Sequence, residues 1–212
     1  MKLLEIYLSP IDKQQFHGIT SQSPVGDGSA DSTLPFWDGQ LDRRITLIKT
    51  LELSRGYQSA AFSDPDEQDW MIRAGLLAED RQSFDPYYLE TIGQAIYNSL
   101  LPMGSDLRST FEAALRLCEQ VGEDLHLRLK FAADSARRSR LADYPWELLH
   151  DGQRFLLRRS VVLSRYIAYE AVPPSLKGEK QLRVLLVSSS ASDSQQNLRP
   201  LQLSDREAIQ TG

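Results

Sequence analysis

Cysteine is almost absent: Cys118 stands alone in 212 residues. A single thiol excludes an intrachain disulfide framework and suits a reducing cytosol. Long apolar runs are missing too, and none approaches the ~20 residues that a membrane-spanning helix needs. Basic excess is absent: 24 Lys and Arg stand against 29 Asp and Glu, a formal charge of −5. Bulk electrostatics therefore argues against a nucleic-acid partner. The start, Met1 to Leu8, is interrupted by Glu5, and no small-residue cleavage site follows, so it does not read as a signal peptide. With 41% hydrophobic and 25% charged residues, the composition is that of a globular protein long enough for one large domain or two small ones. A soluble, cytoplasmic chain is the expectation, with no membrane partner.

Leu4, Ile6 and Leu8 share one face of a first strand over 2–8, which Pro10 ends. Residues 16–39 are rich in Ser, Gly, Asp and Thr and read as an exposed, poorly ordered loop. Within them Asp27, Ser29, Asp31 and Asp38 mimic calcium-loop spacing. However, Ser32 occupies the glycine position and no helical pattern flanks the run, so accident explains it better. Ile45, Leu47, Ile48 and Leu51 are spaced closer to a helical than to an alternating pattern and predict a helix over 45–53. The run 63–70 is a helix start, with a Ser or Asp cap, Pro65 and acids in the first turn. Capping accounts for Asp64, Asp66, Glu67 and Asp69 without a metal.

Asp85-Pro86 opens an amphipathic helix over 86–101, and a further helix spans 107–118 with Cys118 on its apolar face. A buried, inert thiol is the reading there, because no basic neighbour in sequence lowers its pKa. Leu125 to Phe131 alternates strictly and predicts a half-buried strand, with His126, Arg128 and Lys130 on the polar face. His126 reads as solvated. Arg137, Arg138 and Arg140 fall in a polar connection without interleaved aromatics, which reads as a solvated loop.

The densest local signal is the run from Leu141 to Gly152. Pro145 pre-sets a first helical turn, Glu147 is placed to reach back to exposed amides, and Trp146, Leu148 and Leu149 supply apolar bulk. Asp151-Gly152 turns the chain into two strands, 155–157 and 161–167. Residues 172–178, with tandem proline, form a linker. Leu182 to Val187 is continuous in apolar residues, as a strand covered on both faces requires, and 204–207 is a capping box. The glycine-free loop between them offers neither a dinucleotide fingerprint nor a P-loop, which counts against nucleotide binding. Strand, loop and capped helix make the first half of a crossover unit, so the chain reads as a fragment of a longer α/β protein.

These runs together resemble the CHAT family of caspase-like proteins, often associated with tetratricopeptide repeats. The run Leu141-Ala-Asp-Tyr-Pro-Trp-Glu-Leu-Leu-His-Asp-Gly152 is similar to the family's L-x-x-L-P-W-E-L-L-x-D, with Tyr144 at a usually aliphatic position. Residues 155–167, ending in Arg165-Tyr166-Ile167, resemble its L-x-R-Y strand pair, and 182–188 with 201–209 its opening core strand and helix. The likeness covers about residues 107–212.

It implies an incomplete caspase-like three-layer α/β sandwich over 105–212, preceded by a mainly helical segment over 1–104. Active members of the family are cysteine peptidases with a His–Cys dyad. His17, His126 and His150 do not match the catalytic histidine, and Cys118 precedes the core. The expectation is therefore no catalytic, cofactor or metal residues in this chain. Its motif residues Leu141, Pro145, Trp146, Glu147, Leu148, Leu149, Asp151, Gly152, Arg165 and Tyr166 are structural, and its partners are proteins: the catalytic half of the domain or a repeat-containing recognition module. A standalone interaction module without peptidase activity is the alternative.

Overall fold

A computed structural model describes residues 1–53, 56–133 and 140–168. The expected linker 172–178, strand 182–187, nucleotide-type loop and capping box lie outside these residues, as do Arg137 and Arg138. What is described is a mixed α/β fold built on a five-stranded sheet, with four α-helices.

The sheet begins with β1 (Lys2–Pro10), β2 (Gln15–Gln22) and β3 (Ser29–Thr33), and is completed by β6 (Leu125–Phe131) and β7 (Val161–Ile167), in the order β3-β2-β1-β6-β7. The β1–β2 and β2–β3 pairs are antiparallel, whereas β1–β6 and β6–β7 are parallel. A two-stranded ribbon, β4 (Trp37–Asp38) with β5 (Leu41–Asp42), precedes the helices. The helices are α1 (Arg44–Glu52), α2 (Pro65–Arg73), α3 (Tyr88–Leu100) and α4 (Asp106–Val121). All four lie in the crossover between β1 and β6, two strands parallel and adjacent in the sheet.

Two expectations for the N-terminal half need correction. The segment 1–104, expected to be mainly helical, opens with three of the five sheet strands. Residues 16–39 are not a loose loop: Phe16, Gly18 and Thr20 are buried on one face of β2. The period of two was carried by one aromatic, one glycine and one threonine, so polar composition hid it. Gly18 is small because Leu107 of α4 and Leu8 press on it; an added Cβ would lie 3.0 Å from Leu107 Cδ2. The helix expected over 45–53 forms as α1, which buries Thr46, Leu47 and Thr50 while leaving Ile45 and Ile48 outward.

The acidic run of the calcium-like spacing is divided among separate partners. Asp31 meets His17 Nδ1 across the β2–β3 pair at 2.6 Å, and Asp38 pairs with Arg43 and Arg73. At α2 the capping reading is borne out, with Asp64 Oδ1 accepting from the Asp66 amide at 3.0 Å. Farther along, Ser105 caps α4 by accepting from the Arg108 amide, and Gly122, at φ 67°, closes it in the left-handed conformation. The core gathers Leu4, Ile6 and Leu8 of β1, the inward leucines and Phe131 of β6, Ile92 and Ile96 of α3, and Phe111 and Leu115 of α4.

Candidate functional site

The segment Leu141–Gly152 does not form an α-helix. It folds as two 3₁₀ turns, Leu141–Asp143 and Trp146–Leu148, before Asp151 and Gly152 turn the chain. Pro145 precedes the second turn and its carbonyl accepts from the Leu148 amide at 2.9 Å. Glu147 makes no capping bond; its carboxylate instead meets Arg165 Nε at 3.1 Å. The expected strand 155–157 is likewise a third 3₁₀ turn, Leu156–Arg158, joined to the segment by one His150–Phe155 bridge. These corrections share a cause. The segment is shaped by what it packs against, and too few residues lie between Pro145 and the Asp151-Gly152 turn for a regular helix.

Trp146 is fully buried, lies beside Phe131 and Tyr144, and donates its Nε1–H to the Leu141 carbonyl at 3.1 Å. Tyr144 donates its hydroxyl to the Pro35 carbonyl at 2.9 Å, tying the segment to the N-terminal half; burial raises its pKa. Leu141 and Leu149 are buried, and Leu148 is partly buried against the core. The seat is on α3: the His150 amide donates to the Gly93 carbonyl at 3.2 Å, and a Cβ on Gly93 would lie 2.1 Å from the Leu148 carbonyl. Gly93 went unremarked in the sequence. A glycine inside a strongly amphipathic helix was the available signal.

Asp151 and Gly152 do make the expected turn. Asp151 Oδ1 accepts from the Gln153 and Arg154 amides at 2.9 Å each, and Gly152 adopts φ 96°. Burial works against the Asp151 charge, yet the two amides and the Arg159 guanidinium, 2.7 Å away, hold its pKa below the usual aspartate value.

Arg165 and Tyr166 divide their work between the two faces of the sheet. Arg165 donates from one terminal nitrogen to the carbonyls of Ala142 and Tyr144, at 3.0 Å each, while its Nε pairs with Glu147. It therefore clamps both 3₁₀ turns onto β7. Tyr166 points to the opposite face and donates its hydroxyl to Glu5 Oε2 at 3.0 Å.

Glu5 is the polar centre of that face and only 5% exposed. Its cross-strand partner on β6 is Arg128, whose terminal nitrogen lies 3.4 Å away, and Ser21 donates to Oε1 at 2.7 Å. Lys130 lies 4.0 Å off, in a row with Tyr7 and Tyr166 and near both rings. Burial opposes the Glu5 charge, but the hydrogen bonds from Ser21 and Tyr166 and the neighbouring cations outweigh it and lower the pKa. No local pattern announced it: Glu5 meets Arg128 and Lys130 only because β1 pairs with β6 in this register.

None of this assembles nucleophilic chemistry. Cys118 is buried, and burial together with the Glu123 charge raises its thiol pKa, which disfavours the thiolate. His150 lies edge-on to Phe155 and accepts at Nδ1 from the Gly152 amide at 3.1 Å. His126 is half-buried rather than freely solvated, with Nε2 2.7 Å from Ser164 Oγ; burial and Arg128 lower its pKa. Among the described residues no group of three or more His, Cys, Asp or Glu is placed to hold a metal ion. Nor is any described helix long and apolar enough to cross a membrane. In comparisons with known proteins, no family model, no curated protein and no solved structure matches the chain.

Proposed function

We propose that the chain is the N-terminal, non-catalytic part of a CHAT-type, caspase-like cysteine peptidase of the cytoplasm. In this reading it packs beside the catalytic half of the domain and couples it to a repeat-containing recognition module. The observation that carries the reading is the meeting of Glu147 and Arg165 at 3.1 Å. These are charged residues of the two runs that resemble the family, and their contact ties the Leu141–Gly152 segment, a wedge between α3 and the sheet, to β7. The three-layer caspase-like sandwich belongs to the same reading, and the parallel β1–β6–β7 ladder with helices packed on the sheet supports it.

The chain itself is inactive in this account, because its one thiol is buried with a raised pKa. Incubation with a peptide library under reducing conditions is expected to give no iodoacetamide-sensitive cleavage. Cleavage that disappears in Cys118→Ser would overturn the proposal. Translation of the reading frame beyond codon 212 into strands bearing His and Cys would support it.

A second reading, a standalone interaction module, is favoured by one observation. The described residues close a core of their own, running from Leu4 to Val161. It predicts a monodisperse chain that unfolds cooperatively; a molten or aggregating chain would count against it.

A further inference from the structure

A cleft of about 250 Å³ lies between α3, α4 and the turn at Asp151. Tyr97 lines it and is only 4% exposed, with its ring edge-on to Phe111 and the Arg108 guanidinium 5.2 Å above it. Buried tyrosine hydroxyls ordinarily find a partner, as that of Tyr144 does at the Pro35 carbonyl. The Tyr97 hydroxyl has no hydrogen-bond partner among the described residues. Burial raises its pKa, so it stays protonated and able to donate. It lies within electrostatic reach of Arg108 and Glu112 of α4 and of Asp151 and Arg159 across the cleft.

The charges around the cleft are unevenly paired. Arg108 meets Glu112 at 3.0 Å, one cation to one anion. Arg159 alone serves two carboxylates, Asp151 at 2.7 Å and Glu119 at 2.5 Å, so that cluster keeps one negative charge. Arg116 bonds only the Glu112 carbonyl, at 3.2 Å, and has no ion pair among the described residues, so it keeps one positive charge. A simple anion or cation gains at one of these poles and loses at the other, whereas a zwitterion gains at both. The spacing sets the kind of zwitterion. Arg116 and Glu119 are three apart on α4, which places their Cβ atoms about 5–6 Å apart. An ammonium and a carboxylate on one carbon bridge such a span with a hydrogen bond at each end; the distant termini of a peptide do not. The volume agrees, since a cavity of roughly 150 Å³ holds a benzene-sized group and this one is somewhat larger.

We propose that the cleft between α4 and the Asp151 turn binds a free α-amino acid, whose carboxylate takes donors from Arg116 and the Tyr97 hydroxyl and whose ammonium faces Glu119. The proposal is independent of the peptidase reading, because it concerns only what the cleft binds.

The test uses the full chain, isotope-labelled at nitrogen and titrated at neutral pH with glycine, alanine, leucine and glutamine. The N-acetyl and methyl ester forms of each, which lack one of the two charges, are titrated in parallel. At least one amino acid is expected to shift the Gln153 side-chain amide and the backbone amides of 115–119 saturably, and its capped forms are not. Tyr97→Phe is expected to weaken that binding about tenfold, the worth of one hydrogen bond to a charged group. Its thermal midpoint should not fall, because the hydroxyl has no partner to lose. Arg116→Gln, at an exposed position, is expected to abolish saturation with the fold intact. Absence of saturable shifts with all four amino acids would overturn the proposal, as would a capped form that binds as tightly as its parent. So would an affinity that either variant leaves unchanged.

Discussion

At position 93 the absence of a side chain lets helix α3 approach the wedge. A methyl group there would lie 2.1 Å from the Leu148 carbonyl and 2.7 Å from His150 Cβ, contacts that force backbone to move. Gly93→Ala gains helix propensity but loses this seat, and overpacking of this kind costs about 1–3 kcal/mol. Urea denaturation is expected to show a lower midpoint with an unchanged slope, and an unchanged midpoint would refute the seat. Glu5 sets a pH dependence. Its folded pKa lies below its unfolded value, so its contribution is present above roughly pH 4.3 and lost as pH falls through the folded pKa. The groups facing it are Ser21, Tyr166, Arg128 and Lys130. Asp151 and Asp42 are shifted the same way, so the whole protein weakens in acid. The thermal midpoint of Glu5→Gln should therefore fall well below wild type at pH 7, with the gap closing below about pH 4. A gap that does not change with pH would show that Glu5 acts through packing alone.

At the scale of elements, the wedge and β7 are held together by one guanidinium. Arg165→Ala frees the carbonyls of Ala142 and Tyr144 and leaves Glu147 unpaired. Because these groups are partly exposed, the global cost is about 1 kcal/mol. The local effect is larger in kind: amide exchange over 141–149 should quicken while β6 stays protected, and uniform protection would argue against the clamp. Elements with strong periods were legible in the sequence. Leu125–Phe131 alternates in the fold as it does in the sequence, and the two amphipathic helices form as α3 and α4, the latter burying Cys118 as expected. Residues 141–149 and 156–158 were not, because 3₁₀ turns have no hydrophobic period of their own and take their shape from the surface beneath them. In α1 the helix was legible but the face it buries was not. Neighbouring isoleucines and threonines offer two competing faces, and Thr46 satisfies its hydroxyl with Glu67 of α2.

For the molecule as a whole, Cys118 reports whether the core is closed. Its thiol is fully buried on α4, so Ellman's reagent should react only as fast as the protein opens, and at once in denaturant. Fast modification of the native chain would contradict both the burial and the catalytically inert reading. Some features were determined by the sequence alone: the α/β class, the amphipathic helices, the β6 and β7 strands and the burial of the one thiol. Each rests on local periodicity or on a single residue's chemistry. Other features were decided only by tertiary structure: the placement of β2 and β3 beside β1, the burial of Glu5, the seat on Gly93 and the outward face of α1. The physical reason is that each depends on residues far apart in the chain meeting at contact distance. Glu5 meets Arg128 and Tyr166, Gly93 meets Leu148, and Gly18 meets Leu107, pairings that no local pattern encodes.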